Sequence, residues 1–288
     1  MTTEQVEAFY DGTTGSISYV VYDPESQIGA IIDPVMGFIQ KRGQLDPQGA
    51  DALIEWIVSR DLQIEWILET HVHADHVTAA SYLKDQLGGQ LGIGSEVTKV
   101  QQTFAKIFGL EGAIACDGSQ FDRLFKHLDT FSIGTLKAQV LHTPGHTPAC
   151  ISYLIGNSAF VGDTLFMPDV GTARCDFPGG SAAQLFHSVQ ALYQLSLGTQ
   201  LYTCHDYPPE NQRSWQSRSS VAEQQQINIH LKAGTTEADF LALRQKRDET
   251  LDLPDLMLPS VQLNINAGKP SEVTEGETAF LKIPLNYF

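Results

Sequence analysis

Basic residues are scarce in this sequence, and their scarcity excludes two classes of partner. Lys and Arg number 18 against 34 Asp and Glu, which gives a net charge of −16 over 288 residues. Binding to nucleic-acid phosphates or to an anionic membrane surface depends on clustered cations. We therefore expect no nucleic-acid partner and no membrane partner.

Long apolar runs and a leader-like beginning are also missing. No run of 18 apolar residues occurs, so no transmembrane helix is expected. Glu4 and Glu7 stand where a signal peptide would carry basic residues followed by an apolar stretch. The few cysteines lie far apart and form no C-x-x-C pair: Cys116, Cys150, Cys175 and Cys204. They do not look like a disulfide scaffold, so we expect reduced thiols in a cytoplasmic protein.

What the chain does contain is an alternation of strand-like and helix-like segments. Strands are predicted at residues 16–22, 28–32, 64–68, 136–141, 150–155, 158–162 and 199–204. Helices are predicted after Asp46-Pro47, over 77–87, over 95–108 with Ser95 as cap, and over 181–195, 219–231 and 236–250. This order predicts an α/β or α+β protein whose helices cover the faces of sheets.

One short segment carries most of the chemistry. Thr70-His71-Val72-His73-Ala74-Asp75-His76 places three imidazoles and a carboxylate within six residues, directly after a predicted buried strand. At an extended strand end His71 and His73 point to the same side, and Asp75 and His76 follow as the chain bends. Imidazole and carboxylate are ligands that divalent transition metals prefer. The segment therefore predicts a metal site.

Three more polar residues come at predicted strand ends and could converge on the same point. His146 stands in a Thr-Pro-Gly-His turn, Asp163 follows an apolar strand, and His205 follows the strand at 199–204. Together with the 71–76 segment they make a metal site far more probable than chance. Among the remaining histidines, His142 is interpreted as a structural or ligand-orienting group. The other three are interpreted as solvated residues: His127, His187 and His230.

This pattern resembles the metallo-β-lactamase fold superfamily, whose signature is H-x-H-x-D-H followed by a His, an Asp and a His at strand ends. The resemblance covers residues 15–207 in the same order. It implies a four-layer αβ/βα sandwich with the metal site at one edge between two sheets. It also implies a catalytic domain over 1–208, with a helical C-terminal extension over 209–288 packed on that domain.

Within the superfamily the chain resembles glyoxalase II and the persulfide dioxygenases. The T-H-x-H-x-D-H, T-P-G-H-T and G-D-T-L-F segments fit both groups. Arg174-Cys175-Asp176-Phe177 is similar to the R-T-D-F segment of the dioxygenases, and His205-Asp206-Tyr207 is similar to their H-D-Y. A helix-plus-proline pattern after residue 220 also favours the dioxygenases.

The two groups imply different metals. A dioxygenase would hold one Fe(II) through His71, His146 and Asp163 and would oxidise glutathione persulfide with O2 to sulfite. The groups that orient its ligands and bound water would then be His73, Asp75, His76 and His205. A glyoxalase II-type thioester hydrolase would use all seven residues for two Zn(II), bridged by Asp163, and would generate an attacking hydroxide.

The resemblance also suggests substrate contacts. Arg174 would hold a glutathione carboxylate or orient the loop beside the site through Asp176, and Tyr207 would hydrogen-bond near the substrate sulfur. The stretch around residues 169–173 is longer than in the human-type dioxygenases, and Pro208-Pro209 follows Tyr207. Another low-molecular-weight thiol or an inorganic polysulfide therefore stays open as the substrate.

Two further readings receive less support. A non-catalytic metal-binding or persulfide-binding module is disfavoured by the intact ligand set. A flavodiiron-type oxygen reductase is also disfavoured. It would have a Glu at the position of His73 and an attached flavin domain, for which a chain of this length is too short. The apolar tail, residues 280–288, is expected to pack on its own domain or on a partner subunit, which keeps a homodimer among the expected assemblies.

Overall fold

The computed structural model describes residues 3–208, 213–271 and 278–288. Its strands are β1 Gln5–Asp11, β2 Ser16–Asp23, β3 Ile28–Ile32, β4 Val35–Ile39, β5 Gln44–Asp46, β6 Gln63–Leu68, β7 Val77–Thr78, β8 Gln90–Gly94, β9 Arg123–Phe125, β10 Thr130–Ile133, β11 Leu136–His142, β12 Ile151–Ile155, β13 Ser158–Phe160, β14 Gln200–Tyr202 and β15 Arg218–Ser220. Its α-helices are α1 Gln48–Val58, α2 Ala80–Leu87, α3 Val97–Ile107, α4 Ala182–Leu192, α5 Val221–Ile227, α6 Glu237–Asp248 and α7 Met257–Asn264.

Two six-stranded sheets form the centre of the fold. The first has the order β1-β2-β3-β6-β8-β9, antiparallel over its first three strands and parallel from β3 onward. The second has the order β10-β11-β12-β13-β14-β15 and is antiparallel except between β13 and β14. A small third sheet, β5-β4-β7, lies beside the first. The parallel strands bring several strand ends to one edge, where the loops that follow them meet.

Three apolar clusters show that the sheets and helices form four layers. Residues such as Ile32 from the first sheet and Tyr153 from the second pack together between the sheets. The outer face of the first sheet packs against α1, α2, α3 and α7. The outer face of the second, including Val161, packs against α4 and α6. The expected αβ/βα sandwich is confirmed.

The C-terminal part of the chain contributes to both halves of this sandwich. β15 pairs with β14 and so completes the second sheet beyond residue 208. Helix α7 packs with the first sheet and is buried along most of its length. Because polar residues of this helix, Ser260, Gln262 and Asn264, are buried along with its apolar ones, it has no amphipathic period that a sequence pattern could reveal. The division into 1–208 and 209–288 stays a prediction.

Several boundaries differ from the sequence-based expectations. Residues 77–78 form β7 instead of the first turn of a helix, because they pair with β4. Residues 218–220 form β15, so the helix predicted from 219 begins at Val221. Helix α3 begins at Val97, and the expected Ser95 cap is wrong, since no side chain caps its start.

The described residues contain no helix that is long and apolar enough to cross a lipid bilayer. All four cysteines are free thiols, and three of them are buried: Cys150, Cys175 and Cys204. The expectation of unpaired cysteines is therefore consistent with the structure.

Candidate metal centre

The loop after β6 is shaped by a carboxylate from a neighbouring strand. Asp33 follows β3 in a left-handed conformation, with φ 49°. Its Oδ1 accepts from the Thr70 backbone N–H at 2.7 Å, and its Oδ2 accepts from the Thr70 hydroxyl at 2.9 Å. The strand end is thus held in place immediately before the first candidate ligand, His71.

The first group of candidate ligands, which we call the Asp163 cluster, consists of His71, His146 and Asp163. All three are buried, and one ligand atom of each lies within 4.8 Å of the others. Asp163 Oδ2 lies 3.7 Å from His71 Nε2 and 3.5 Å from His146 Nε2. Two imidazoles and one carboxylate therefore face a common point.

His146 reaches this point because of the turn that precedes it. Gly145 has φ 144°, and a Cβ at that position would lie 2.4 Å from the backbone of Leu185 in α4. Only glycine fits such a close approach in this conformation. The Nδ1–H of His146 donates to the Arg174 carbonyl at 2.8 Å, so its Nε2 is the atom presented to Asp163.

The second group, which we call the Asp75 cluster, consists of His73, Asp75, His76 and His205. Asp75 Oδ2 lies 3.3 Å from His205 Nε2 and 3.4 Å from His76 Nδ1. The two clusters touch through Asp163, whose Oδ1 lies 3.4 Å from His205 Nε2. All seven residues singled out in the sequence thus come together, and Asp163 stands where it could bridge two metals.

Unpartnered ligand atoms show that the clusters suit a metal. The following buried atoms have no hydrogen-bond partner among the described residues: His71 Nε2, His76 Nε2, Asp163 Oδ1, and both ring nitrogens of His205. A buried polar atom without a partner is costly, and coordination of a cation would satisfy each of these. The donor set of imidazoles and carboxylates fits Zn(II) or Fe(II).

The electrostatics favour imidazoles in their metal-binding form. Burial, with neighbouring histidines, lowers the pKa of His71 well below its ordinary value. Burial also lowers the pKa of His76 and brings that of His146 to about 4. These rings are therefore neutral near pH 7, which is the form that binds metals.

The two carboxylates differ from one another. Burial, helped by the nearby charge of Asp75, raises the pKa of Asp163 to about 6, against the effect of His205. Burial opposes ionisation of Asp75 too, but His205 and His76 lower its pKa well below the ordinary value. Asp75 is therefore ionised at neutral pH, and Asp163 would be fully ionised once a cation sits beside it.

His73 is oriented by two acidic side chains. Its Nε2 lies 3.1 Å from Asp33 Oδ1 and 3.0 Å from Glu69 Oε2. Burial alone would lower the pKa of His73, but the Asp33 carboxylate raises it well above the ordinary value. With Nε2 directed at the carboxylates, Nδ1 is the atom left to face the cluster, 3.9 Å from the Cys204 sulfur.

Besides Asp33 and Glu69, three more residues at the centre were not predicted from the sequence. The Ser16 hydroxyl lies 3.1 Å from His76 Nδ1 and 3.2 Å from Asp75 Oδ2. Cys204 is 1% exposed and contacts His73. Asn264 hydrogen-bonds to the loop backbone from α7. Ser16 is the first residue of β2 and Asn264 the last residue of the buried helix α7, and neither stands in a sequence pattern that marks a site. Cys204 did have such a signal, because it stands next to His205.

A cleft of about 220 Å³ leads to the Asp163 cluster. Its apolar wall includes Phe166, Val170 and Phe177, and it is also lined by two residues of α6, the buried Arg244 and the exposed Arg247. Tyr207 also lines the cleft and is 46% exposed. Its ring stacks on that of His205, with centroids 5.6 Å apart and planes 6° apart.

The two other predicted substrate contacts pair with each other. Arg174 donates to both carboxylate oxygens of Asp176 at 2.6 Å, and to the Asp252 carbonyl at 2.6 Å. Its guanidinium lies 4.8 Å from the centroid of the Phe177 ring. This geometry fits the expectation that Arg174 orients the loop through Asp176. A direct contact with substrate stays a prediction.

Helix α6 also holds the loop that carries Arg174. Arg244, which is 2% exposed, donates to the Thr172 carbonyl at 3.2 Å and forms an ion pair with Asp248. Asp248 Oδ2 accepts from the Cys175 backbone N–H at 3.1 Å. Because His146 donates to the Arg174 carbonyl, the Arg244–Asp248 pair helps to hold the loop that orients His146 in the Asp163 cluster.

The remaining histidines lie outside both clusters. The Nε2–H of His142 donates to the Pro148 carbonyl, 3.0 Å away, which fits a structural role. His127 and His187 are exposed, as expected. His230 is not: it is 5% exposed, and its Nδ1 accepts from the Thr172 N–H at 2.9 Å. The expectation of a solvated His230 is wrong because the 171–172 turn packs directly against its ring.

Comparisons with known proteins agree with this geometry. The family model described as the metallo-beta-lactamase superfamily matches residues 10–202. A probable metallo-hydrolase of Burkholderia pseudomallei is 48% identical, over 98% of this chain and 99% of that protein. Glyoxylase B2 of Dictyostelium discoideum is 44% identical, over 98% of this chain and 97% of that protein.

A solved structure resembles the chain over most of its length. The crystal structure of ETHE1 from Myxococcus xanthus superposes with a TM-score of 0.73 at 27% identity, covering 92% of this chain and 100% of that one. Fold, ligand pattern and family model thus point the same way. The chain belongs to the metallo-beta-lactamase superfamily.

Proposed function

We propose that the chain is a non-haem Fe(II) persulfide dioxygenase that oxidises glutathione persulfide, or a related low-molecular-weight persulfide, with O2 to sulfite. The observation that carries this proposal is the Asp163 cluster, in which two imidazoles and one carboxylate face one point. A two-histidine, one-carboxylate set with open positions is typical of non-haem Fe(II) oxygenases. The likeness to the ETHE1 structure supports the same choice.

In this proposal His71, His146 and Asp163 hold the iron, which supplies the redox chemistry between sulfur and O2. Overall, one persulfide, one O2 and one water give one thiol, one sulfite and two protons. The protein's own contribution is to orient the reactants and to limit water. Phe166 and Phe177 line an apolar cleft above the cluster, and such a wall favours a sulfur substrate over bulk water.

The rim of the cleft suits a negatively charged thiol carrier. Arg247 is exposed and forms no ion pair within the described ranges. A guanidinium matches a carboxylate in a bidentate fashion, and glutathione carries two carboxylates. We assign Arg247 the carrier carboxylate, Tyr207 a hydrogen bond near the substrate sulfur, and the Arg174–Asp176 pair the orientation of the loop.

A second candidate is a two-metal thioester hydrolase of the glyoxalase II type. The observation that favours it is the Asp75 cluster, whose three histidines are buried and include unpartnered ring nitrogens, beside an Asp75 side chain that is 20% exposed. The name of the Burkholderia relative, a probable metallo-hydrolase, agrees with hydrolase chemistry. The two clusters together would hold two Zn(II), with Asp163 lying between them, and these ions would supply the Lewis-acid and water-activating chemistry that thioester hydrolysis needs.

Metal analysis combined with O2 uptake separates the two candidates. For protein purified without oxygen we expect about one iron per chain and rapid O2 consumption with glutathione persulfide. His146→Ala should lose both the iron and the activity. His142→Ala is the matched control, a histidine four residues away outside both clusters, and should keep both. Two zinc per chain, hydrolysis of S-lactoylglutathione and no O2 uptake would overturn the dioxygenase proposal in favour of the hydrolase.

A further inference from the structure

A polar side chain of α7 reaches the loop that carries the Asp75 cluster. Asn264 is the last residue of α7 and is 3% exposed. Its side-chain amide donates to the backbone carbonyls of His73 and His76, each at 2.8 Å. Its Oδ1 accepts from the backbone N–H of Thr78 at 2.9 Å. One amide therefore contacts both ends of the turn between His73 and His76.

This arrangement fixes the amide in one orientation. An Asn side chain offers two N–H donors and one carbonyl acceptor, and here both donors face carbonyls while the oxygen faces an N–H. A flipped amide would place its oxygen against two carbonyl oxygens. Because the site is buried, water cannot replace any of these bonds, and each lost partner would leave a backbone group of the turn unsatisfied.

The chain after α7 packs against the same loop. The Ser81 hydroxyl donates to the Ala267 carbonyl at 2.5 Å. Gly268 has φ 86°, and a Cβ there would lie 2.6 Å from the Thr78 carbonyl oxygen. The segment that ends α7 is therefore seated on the loop by independent contacts, which keep the Asn264 amide at its partners.

The turn between His73 and His76 holds three of the four members of the Asp75 cluster. Its own side chains do not close it: Asp75 and His76 point at Ser16 and His205, and His73 points at Asp33 and Glu69. Hydrogen bonds from Asn264 are what join the carbonyls at its two ends. A change in the turn would move the ligand atoms relative to one another.

We propose that Asn264 is a positioning residue for the metal centre, which holds the His73–His76 turn in the shape that binds the cation. The C-terminal helix thereby belongs to the metal site, although it supplies no ligand. This inference applies to both candidate reactions, because the turn would orient the ligands and bound water of a single iron in the dioxygenase and would supply ligands to the second Zn(II) in the hydrolase. Groups that orient ligands typically contribute about 10–100-fold to metal affinity.

The test measures Zn²⁺ affinity of the metal-free full chain by competition with a chromophoric chelator. Asn264→Ala removes all three hydrogen bonds, and Asn264→Leu removes them while keeping the volume of the side chain. We expect either variant to bind Zn²⁺ about 10–100-fold more weakly than the unmodified chain. Asn266→Ala is the matched control, because the Asn266 side chain, among the described residues, donates to the carbonyls of Lys269 and Pro270. The Zn²⁺ affinity of this variant should not change.

The thermal midpoint of the metal-free protein separates positioning from general stability. A variant whose midpoint falls while its Zn²⁺ affinity stays within about twofold of the unmodified chain would overturn the proposal, since Asn264 would then only stabilise the fold. An equal loss of affinity in Asn266→Ala would overturn it as well. Should Asn264→Ala fail to fold, Asn264→Leu decides, because it retains the packing of α7.

Discussion

Replacing Arg244 with methionine is expected to destabilise the protein by about 3 kcal/mol. Arg244 and Asp248 form an ion pair whose side chains are 2% and 10% exposed. Removing one partner of a buried pair costs about 3–5 kcal/mol, because the other charge stays buried without compensation. Here Asp248 keeps the hydrogen bond from the Cys175 N–H, which places the cost at the lower end. The stem of methionine retains the packing of the arginine chain.

The assay is thermal and urea unfolding of the metal-free protein. At about 2–4 °C for each kcal/mol in a chain of 150–250 residues, the midpoint should fall by several degrees. Adding Asp248→Asn to Arg244→Met removes the stranded charge and keeps an acceptor for Cys175, so most of the lost stability should return. An Arg244→Met protein within 1 kcal/mol of the unmodified chain, or a double variant less stable than the single one, would refute the argument that an uncompensated charge sets the cost.

Two further predictions concern groups behind the metal centre. Ser16→Ala removes the hydroxyl beside His76 Nδ1, so the imidazole loses a partner that fixes its orientation. The Zn²⁺ affinity of this variant should fall about 10–100-fold, whereas Thr13→Ala should leave the Zn²⁺ affinity unchanged. Burial and the charges of Arg244 and Arg247 lower the pKa of His230 from 6.5 to about 4, so the stability that comes from its neutral form is complete above pH 6.5 and is lost as the pH falls toward 4. The contribution of neutral His230 to the unfolding free energy is up to about 3 kcal/mol. His230→Gln should therefore flatten the dependence of the unfolding free energy on pH between 4 and 6.5, measured by urea denaturation. An unchanged slope would contradict the role given to His230.

Three of the candidate ligands could be found from the sequence because each one stands three residues after the end of a buried apolar strand. His71, Asp163 and His205 come after β6, β13 and β14, where apolar residues change abruptly to polar ones. Parallel neighbours bring such ends to a shared edge. The metal site was therefore predictable, because the ends of the strands can be located in the sequence and the sheet topology brings those ends together.

The groups that support those ligands could not be found in the same way. Ser16 lies at the start of β2, where it reads as an ordinary strand residue, although it contacts a loop 59 positions later. Asn264 lies in a helix without an amphipathic pattern, with Pro259 in its first turn. His230 stands in a polar stretch that reads as exposed, yet the 171–172 turn covers it. In each case the role depends on a distant partner and not on neighbours in sequence.

The place of Asn264 in the chain also bears on the order of events during biosynthesis. All seven candidate ligands lie between residues 71 and 205, whereas Asn264 comes 59 residues after His205. At about 5–20 residues per second, a ribosome needs about 3–12 s to cover that interval. A nascent chain thus possesses every ligand before α7 can close the turn that carries Asp75 and His76. If Asn264 positions the turn as we propose, a cation met during translation would encounter a looser site than the chain offers once α7 is in place, so tight binding would follow synthesis of α7.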